Sequence, residues 1–113
     1  MKKKTPRDPV YLDFIRAQDC CTCGRPAPSQ AAHVRIRGGG GMGLKPSDYR
    51  TVPLCAACHG RQHGLGEKTF WERQGCLPET LIAACLVTYV RDKKGAIAAL
   101  EELAALQAQE AKA

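Results

Sequence analysis

The sequence predicts a small α+β domain: a ββα unit stapled by a structural zinc ion, with one helix before it and helices after it. Three observations carry that prediction. Two Cys-x-x-Cys pairs, Cys20/Cys23 and Cys55/Cys58, stand far apart in the chain. All three histidines, His33, His59 and His63, fall between the pairs or just after them. The residues between the pairs read as strand, glycine loop and strand, and a helix opens at the second pair.

At 113 residues the chain is the size of one domain. Aromatic residues make up only 5%, so an apolar core alone is thin. A bound Zn²⁺ can add about 10 kcal/mol or more of apparent folding free energy. Seven cysteines is an odd number, and their spacing in a chain without an export signal favours metal over disulfides. The longest apolar run, Leu81–Val87, is too short to span a bilayer. Met1–Arg7 is basic, and no apolar signal segment follows it. No membrane partner and a cytoplasmic location are therefore expected.

The elements follow in order. Met1–Asp8 reads as a basic, disordered arm containing Lys2–Lys4. Asp8-Pro9 is a helix start, with Asp as N-cap and Pro at the first helical position. Val10, Tyr11, Phe14 and Ile15 then repeat at helical spacing, predicting a helix over about 9–17. Cys20–Gly24 makes a tight turn, with Gly24 suiting the bend. Residues 25–30 form a loop, and Ala31–Ile36 a strand carrying His33. Gly38–Gly41 and Gly43 form a glycine loop that runs into Lys45-Pro46-Ser47-Asp48. Thr51–Leu54 is the second strand. A helix from about Ala56 holds Cys58, His59 and His63 and ends at Gly64 or Gly66. Glu67–Gln74 is a short helix anchored by Phe70 and Trp71 and stopped by Gly75. Pro78 opens a helix to about Val90, and a last helix fills roughly 96–111. Its Ile97, Leu100, Leu103 and Leu106 make an apolar stripe.

Zn²⁺ favours four thiolates in a tetrahedron, and two Cys-x-x-Cys turns supply them. The expected ligands are Cys20, Cys23, Cys55 and Cys58. Cys21 falls in a register that points elsewhere, and Cys76 and Cys85 read as small core residues. His59 and His63, spaced i and i+4, project from one helix face and can grip a second ion. His33, on a strand that the zinc pins beside this helix, brings a third imidazole near. Taken singly, each histidine also fits a structural role.

The residues Cys20-x-x-Cys23-Gly24, Ala32-His33-Val34 and Pro53-Leu54-Cys55-x-x-Cys58-His59 resemble the HNH (His-Me finger) endonucleases. Three further pieces are similar to the recombination-enhancement (Ref-type) nucleases of phages and prophages. These are Tyr11-Leu-x-Phe-x-Arg-x-x-x-Cys20, Gly41-Met-Gly-Leu-Lys-Pro-Ser-Asp48 and Cys58-His-x-x-x-His63. The resemblance covers about residues 9–75 and implies a zinc-bound ββα-metal domain there. Residues 76–113 would be a helical extension packed on the same domain. It implies phosphodiester hydrolysis of DNA in phage recombination or repair, in the cytoplasm of a bacterial host. His33 takes the general-base position, His59 matches the metal-binding histidine and His63 is an added ligand to a catalytic Mg²⁺ or Mn²⁺. The chain contains no asparagine, and Asp48 is the stand-in for the middle letter of the motif. Its carboxylate either orients His33 or helps bind the metal; equally, it is a turn former.

Charge adds a partner. Residues 1–75 hold 13 Lys/Arg against 6 Asp/Glu, while residues 76–113 hold 4 against 5. The positive potential thus sits with the cysteines and histidines, which suits a polyanion. Arg35, Arg37, Lys45 and Arg50 flank the glycine loop and are the expected phosphate contacts. DNA is the expected partner, with a recombinase filament as a candidate second one. The alternative is a non-catalytic zinc module that binds DNA or a recombination partner, since Ala32 stands where many HNH proteins place a further metal ligand. A third reading is a zinc-stapled scaffold whose C-terminal helices make protein contacts.

Overall fold

The computed structural model describes residues 5–36, 46–91, 102 and 104–107. Its element order is α1 (Pro9–Arg16), β1 (Gln30–His33), β2 (Thr51–Leu54), α2 (Ala56–Leu65), α3 (Glu67–Gln74) and α4 (Pro78–Arg91). The fold is α+β. The two strands pair antiparallel, with Gln30 opposite Leu54 and His33 opposite Thr51. β1, β2 and α2 follow one another as a ββα unit, and α3 packs on α2.

Local chemistry sets the boundaries. Asp8 caps α1 by accepting the Tyr11 N–H at 3.1 Å, with Pro9 directly after it. Cys55 is the N-cap of α2. Gly75 ends α3 in the left-handed region at φ 71°, where a Cβ is unfavourable. β1 is shorter than the sequence suggests: pairing stops at His33, although Val34 still donates to the Arg50 carbonyl at 2.8 Å.

The core joins the ββα unit to the helices around it. Tyr11 and Ile15 of α1, Val52 and Leu54 of β2, Phe70 and Trp71 of α3, and Ile82 and Leu86 of α4 are buried. Tyr11 stacks on Phe14 and meets Tyr89 edge-on, which binds α1 to α4 through aromatic faces. α4 also packs on β2 and on α1. Of the apolar stripe, Leu106 is described and buried; Ile97, Leu100 and Leu103 lie outside the described residues.

One segment departs from expectation. Thr5–Asp8, assigned to a disordered arm by its charge, lies against the turn before β2. The Pro6 carbonyl accepts the Asp48 N–H at 3.1 Å, and the Asp8 N–H donates to Asp48 Oδ2 at 2.8 Å. A buried carboxylate needs donors, and this segment supplies them. Met1–Lys4 lie outside the described residues. No helix among the described residues is long and apolar enough to cross a membrane.

Candidate functional site

The four expected sulfurs come together. The Sγ atoms of Cys20, Cys23, Cys55 and Cys58 all lie within 4.8 Å of one another, and Cys23 and Cys55 are 3.7 Å apart. A tetrahedral Zn²⁺ with Zn–S bonds of about 2.3 Å sets its sulfurs about 3.8 Å apart, so the cluster fits zinc. The first pair sits on a turn closed by Gly24 N–H to the Cys20 carbonyl, with Gly24 at φ 78°. The second pair opens α2, where the Cys58 N–H points at Cys55 Sγ at 3.5 Å. The Cys21 N–H donates to the Pro53 carbonyl at 2.9 Å and ties the first turn to β2. Thr22 Oγ1 lies 3.4 Å from Cys20 Sγ, and Arg61 donates to Cys58 Sγ at 3.8 Å. Such outer contacts spread thiolate charge.

The electrostatics ask for a cation. Burial pushes Cys20 up, but donation from Thr22 and from nearby backbone N–H groups brings it down to about 5. Burial and the neighbouring sulfurs push Cys58 up to about 12. Cys55 is lowered too, first by the Cys58 N–H, so thiolates form among the four at one another's expense. A divalent ion among the four removes that conflict.

The remaining cysteines are all free thiols. Cys21 and Cys85 share a small apolar cavity between α1 and α4, and burial raises them to about 12 and about 11. They fit core roles. Cys76, expected in the core, is instead exposed, because it follows Gly75 in the turn between α3 and α4 rather than a packed helix face.

The histidines line one cleft of about 680 Å³, together with Arg7, Arg35 and Asp48. His33 closes β1 and is half-buried. Its Nε2 lies 2.9 Å from Asp48 Oδ1. Asp48 is only 4% exposed, and both its oxygens are engaged. Oδ1 also accepts from Arg7 at 3.1 Å, and Oδ2 accepts the Asp8 N–H. Burial pushes the Asp48 carboxyl up; hydrogen bonds from His33, the Asp8 amide and Arg7 outweigh it and hold the carboxyl below its ordinary 3.8. Asp48 therefore serves His33 and the N-terminal segment. A carboxylate accepting Nε2–H leaves the lone pair of a neutral His33 on Nδ1.

His59 and His63 face each other on α2. Their Nε2 atoms are 3.2 Å apart. Two metal–nitrogen bonds of about 2.0–2.1 Å, at tetrahedral or right angles, set the nitrogens about 2.9–3.4 Å apart. The pair is thus spaced for one ion. Gln30 Oε1 lies 2.7 Å from His59 Nδ1. Burial, then His63 and His33, lower the His59 pKa below 6.5 and favour the neutral ring. The three imidazoles line this one cleft; within it His59 pairs with His63, and His33 pairs with Asp48. Among the described residues, the four cysteines are the group of three or more potential ligands in close mutual reach.

A family model described as "Protein of unknown function (DUF968)" matches residues 1–88. The chain belongs to this family. It is also 38% identical over 53 residues to the "Uncharacterized protein YdfU" of Escherichia coli (strain K12), a stretch covering 47% of the chain and 15% of that protein. The chain thus matches only a small part of that relative's length. No solved structure matches. The DUF968 match spans the four cysteines, His33, Asp48, His59 and His63.

The cationic surface of this DUF968 member needs one correction. Arg50, expected to reach phosphate from the loop, is 4% exposed. Its Nη2 donates to the Ile36 carbonyl at 3.2 Å and lies 3.8 Å from Glu79 Oε2 of α4. The reason is its place immediately before the fully buried β2, where a long cation must find partners inside. Arg35 is exposed and lines the cleft. Arg37 and Lys45 lie outside the described residues. Sequence reasoning missed three contributors: Arg7, hidden in the apparent arm; Gln30, one residue before the expected strand; and Glu67. The Glu67 carboxylate accepts the Arg35 and Ile36 N–H groups at 2.8 and 3.2 Å and lines the cleft. Nothing in the local pattern marks Gln30 or Glu67.

Proposed function

We propose that the chain is a metal-dependent endonuclease of the HNH type, hydrolysing phosphodiester bonds of DNA on a zinc-stapled ββα-metal core. One observation carries this reading: a histidine held by a buried carboxylate shares a cleft with a histidine pair spaced for a metal ion. In the mechanism, Asp48 holds the Nε2–H of His33. His33 Nδ1 takes a proton from a water as its oxygen bonds to phosphorus and the bond to the 3′ oxygen breaks. His59 and His63 are the residues that would hold Mg²⁺ or Mn²⁺, which would supply positive charge to offset the charge developing at the phosphate. Arg35 and Arg7 give the cleft a cationic rim for the backbone of the substrate. The four-cysteine zinc keeps β1, β2 and α2 in register and takes no part in the chemistry. A role in phage recombination or repair within a bacterial cytoplasm, with a recombinase filament presenting the DNA, completes the proposal.

The test uses purified, zinc-loaded protein with single-stranded, nicked and duplex DNA and added Mn²⁺ or Mg²⁺. Cleavage lost in both His33→Ala and His59→Ala supports the reading. DNA binding without cleavage in the wild type replaces it with the non-catalytic zinc module.

A further inference from the structure

We infer that Gln30 is the positioning residue of the histidine pair: it fixes the tautomer of His59 so that Nε2 presents a lone pair to a metal ion. The inference rests on the reading of His59 and His63 as ligands and extends it to a residue outside the ligand set.

Gln30 opens β1, opposite Leu54, and is exposed. Burial therefore does not explain its contact with His59. Its Oε1 is 2.7 Å from His59 Nδ1, a short and specific hydrogen bond. A carbonyl oxygen can only accept, so Nδ1 carries the hydrogen. In a neutral ring, Nε2 is then bare, and it is the atom 3.2 Å from His63 Nε2. Metal-ligating histidines usually donate their other ring N–H to an acceptor, which orients the ring and sets its basicity. Here that acceptor is an amide. The carboxylate of the cleft, Asp48, is occupied by His33, Arg7 and the Asp8 amide. Two neutral imidazoles backed by a neutral amide suit borderline transition ions better than Mg²⁺, which favours oxygen ligands. The pair should therefore bind Co²⁺, Ni²⁺ or Zn²⁺ more tightly than the Mn²⁺ or Mg²⁺ of the proposed reaction.

Two measurements test this on the full chain with its structural zinc in place. The first uses no metal at the pair. Nitrogen-15 NMR of the histidine side chains at pH 8 should show His59 as the Nδ1–H tautomer. Gln30→Leu should shift it toward Nε2–H, while Gln30→Glu should keep Nδ1–H. The second is Co²⁺ titration by calorimetry and visible absorption. Gln30→Leu should weaken the second Co²⁺ site about 10- to 100-fold, Gln30→Glu should restore or tighten it, and Mg²⁺ at the same concentration should not compete. An unchanged His59 tautomer and an unchanged Co²⁺ affinity in Gln30→Leu overturn the role of Gln30. If His59→Ala takes up the second Co²⁺ as the wild type does, the histidine pair itself is not the site, and the underlying reading fails separately.

Discussion

His33 Nε2 and Asp48 Oδ1, fifteen positions apart in the chain, meet at 2.9 Å. The contact joins the end of β1 to the turn before β2, and it decides which nitrogen of a neutral His33 carries the hydrogen. An ionised acceptor on Nε2 reserves Nδ1 for a proton. Asp48 is also the anchor of the N-terminal segment, so the geometry of His33 depends on residues as distant as Arg7.

Asp48→Asn tests that dependence. Asparagine keeps the shape and can still accept the Asp8 N–H, so the fold should persist by circular dichroism. Its amide can turn an N–H toward Nε2 and reverse the tautomer of His33. DNA cleavage should fall about 10²-fold or more, as for loss of a general base, with little change in KM. Unchanged cleavage would remove Asp48 from the mechanism.

The four-sulfur cluster makes a prediction about stability. One zinc per chain should be found by elemental analysis. Cys55→Ser, or prolonged chelation, should abolish the cooperative thermal transition, because binding energy and folding energy are shared in such sites. Cys85→Ser, outside the cluster, should retain its zinc. A folded, zinc-free Cys55→Ser protein would show that the cluster is not a metal site.

Much of this was legible in the chain, for identifiable reasons. Asp8-Pro9, Gly24 and Gly75 are local signals whose effects do not depend on distant residues, and each acts where its chemistry predicts. The two Cys-x-x-Cys turns fix a long-range contact because a single ion can satisfy both. Arg50 reads as a loop cation because burial is a tertiary property: nothing in the residues near it reveals that α4 brings Glu79 to its side. Thr5–Asp8 reads as part of an arm for the same reason. Its partner, Asp48, lies forty positions away, and lysines nearby mask the signal. The acceptor role of Gln30 arises only when α2 folds back on β1, and no spacing encodes it.

His59 sets a pH dependence. Its pKa is held below 6.5 by burial, then by His63 and His33. The unfolded chain takes up its proton near 6.5 and the folded one only at lower pH. The form without a metal at the pair should therefore lose stability as pH falls through about 6.5, and the loss should level off once the folded ring also protonates. An NMR titration should place His59 below 6.5. His63→Ala should move it up, short of the full distance because burial remains. A His59 that titrates at 6.5 in both proteins would contradict this arrangement.

Arg35 and Arg50 should separate by opposite readouts. Arg50 is buried with Glu79 at 4% and 7% side-chain exposure, 3.8 Å apart, so Arg50→Ala takes the cation of this pair out of the fold. Removing one member of a buried pair costs about 3–5 kcal/mol, and the thermal midpoint should drop sharply. Any DNA affinity that survives should keep its salt dependence, since the residue never reaches solvent. Arg35 is exposed on the cleft rim. Arg35→Ala should change stability by only about 0.5 kcal/mol or less. It should weaken DNA binding, and the slope of log affinity against log salt should become shallower by about 1. Urea melts together with fluorescence binding at several salt concentrations measure both effects. If Arg50→Ala lowers the salt slope while leaving stability intact, the side chain works at the surface after all and its burial against α4 is wrong.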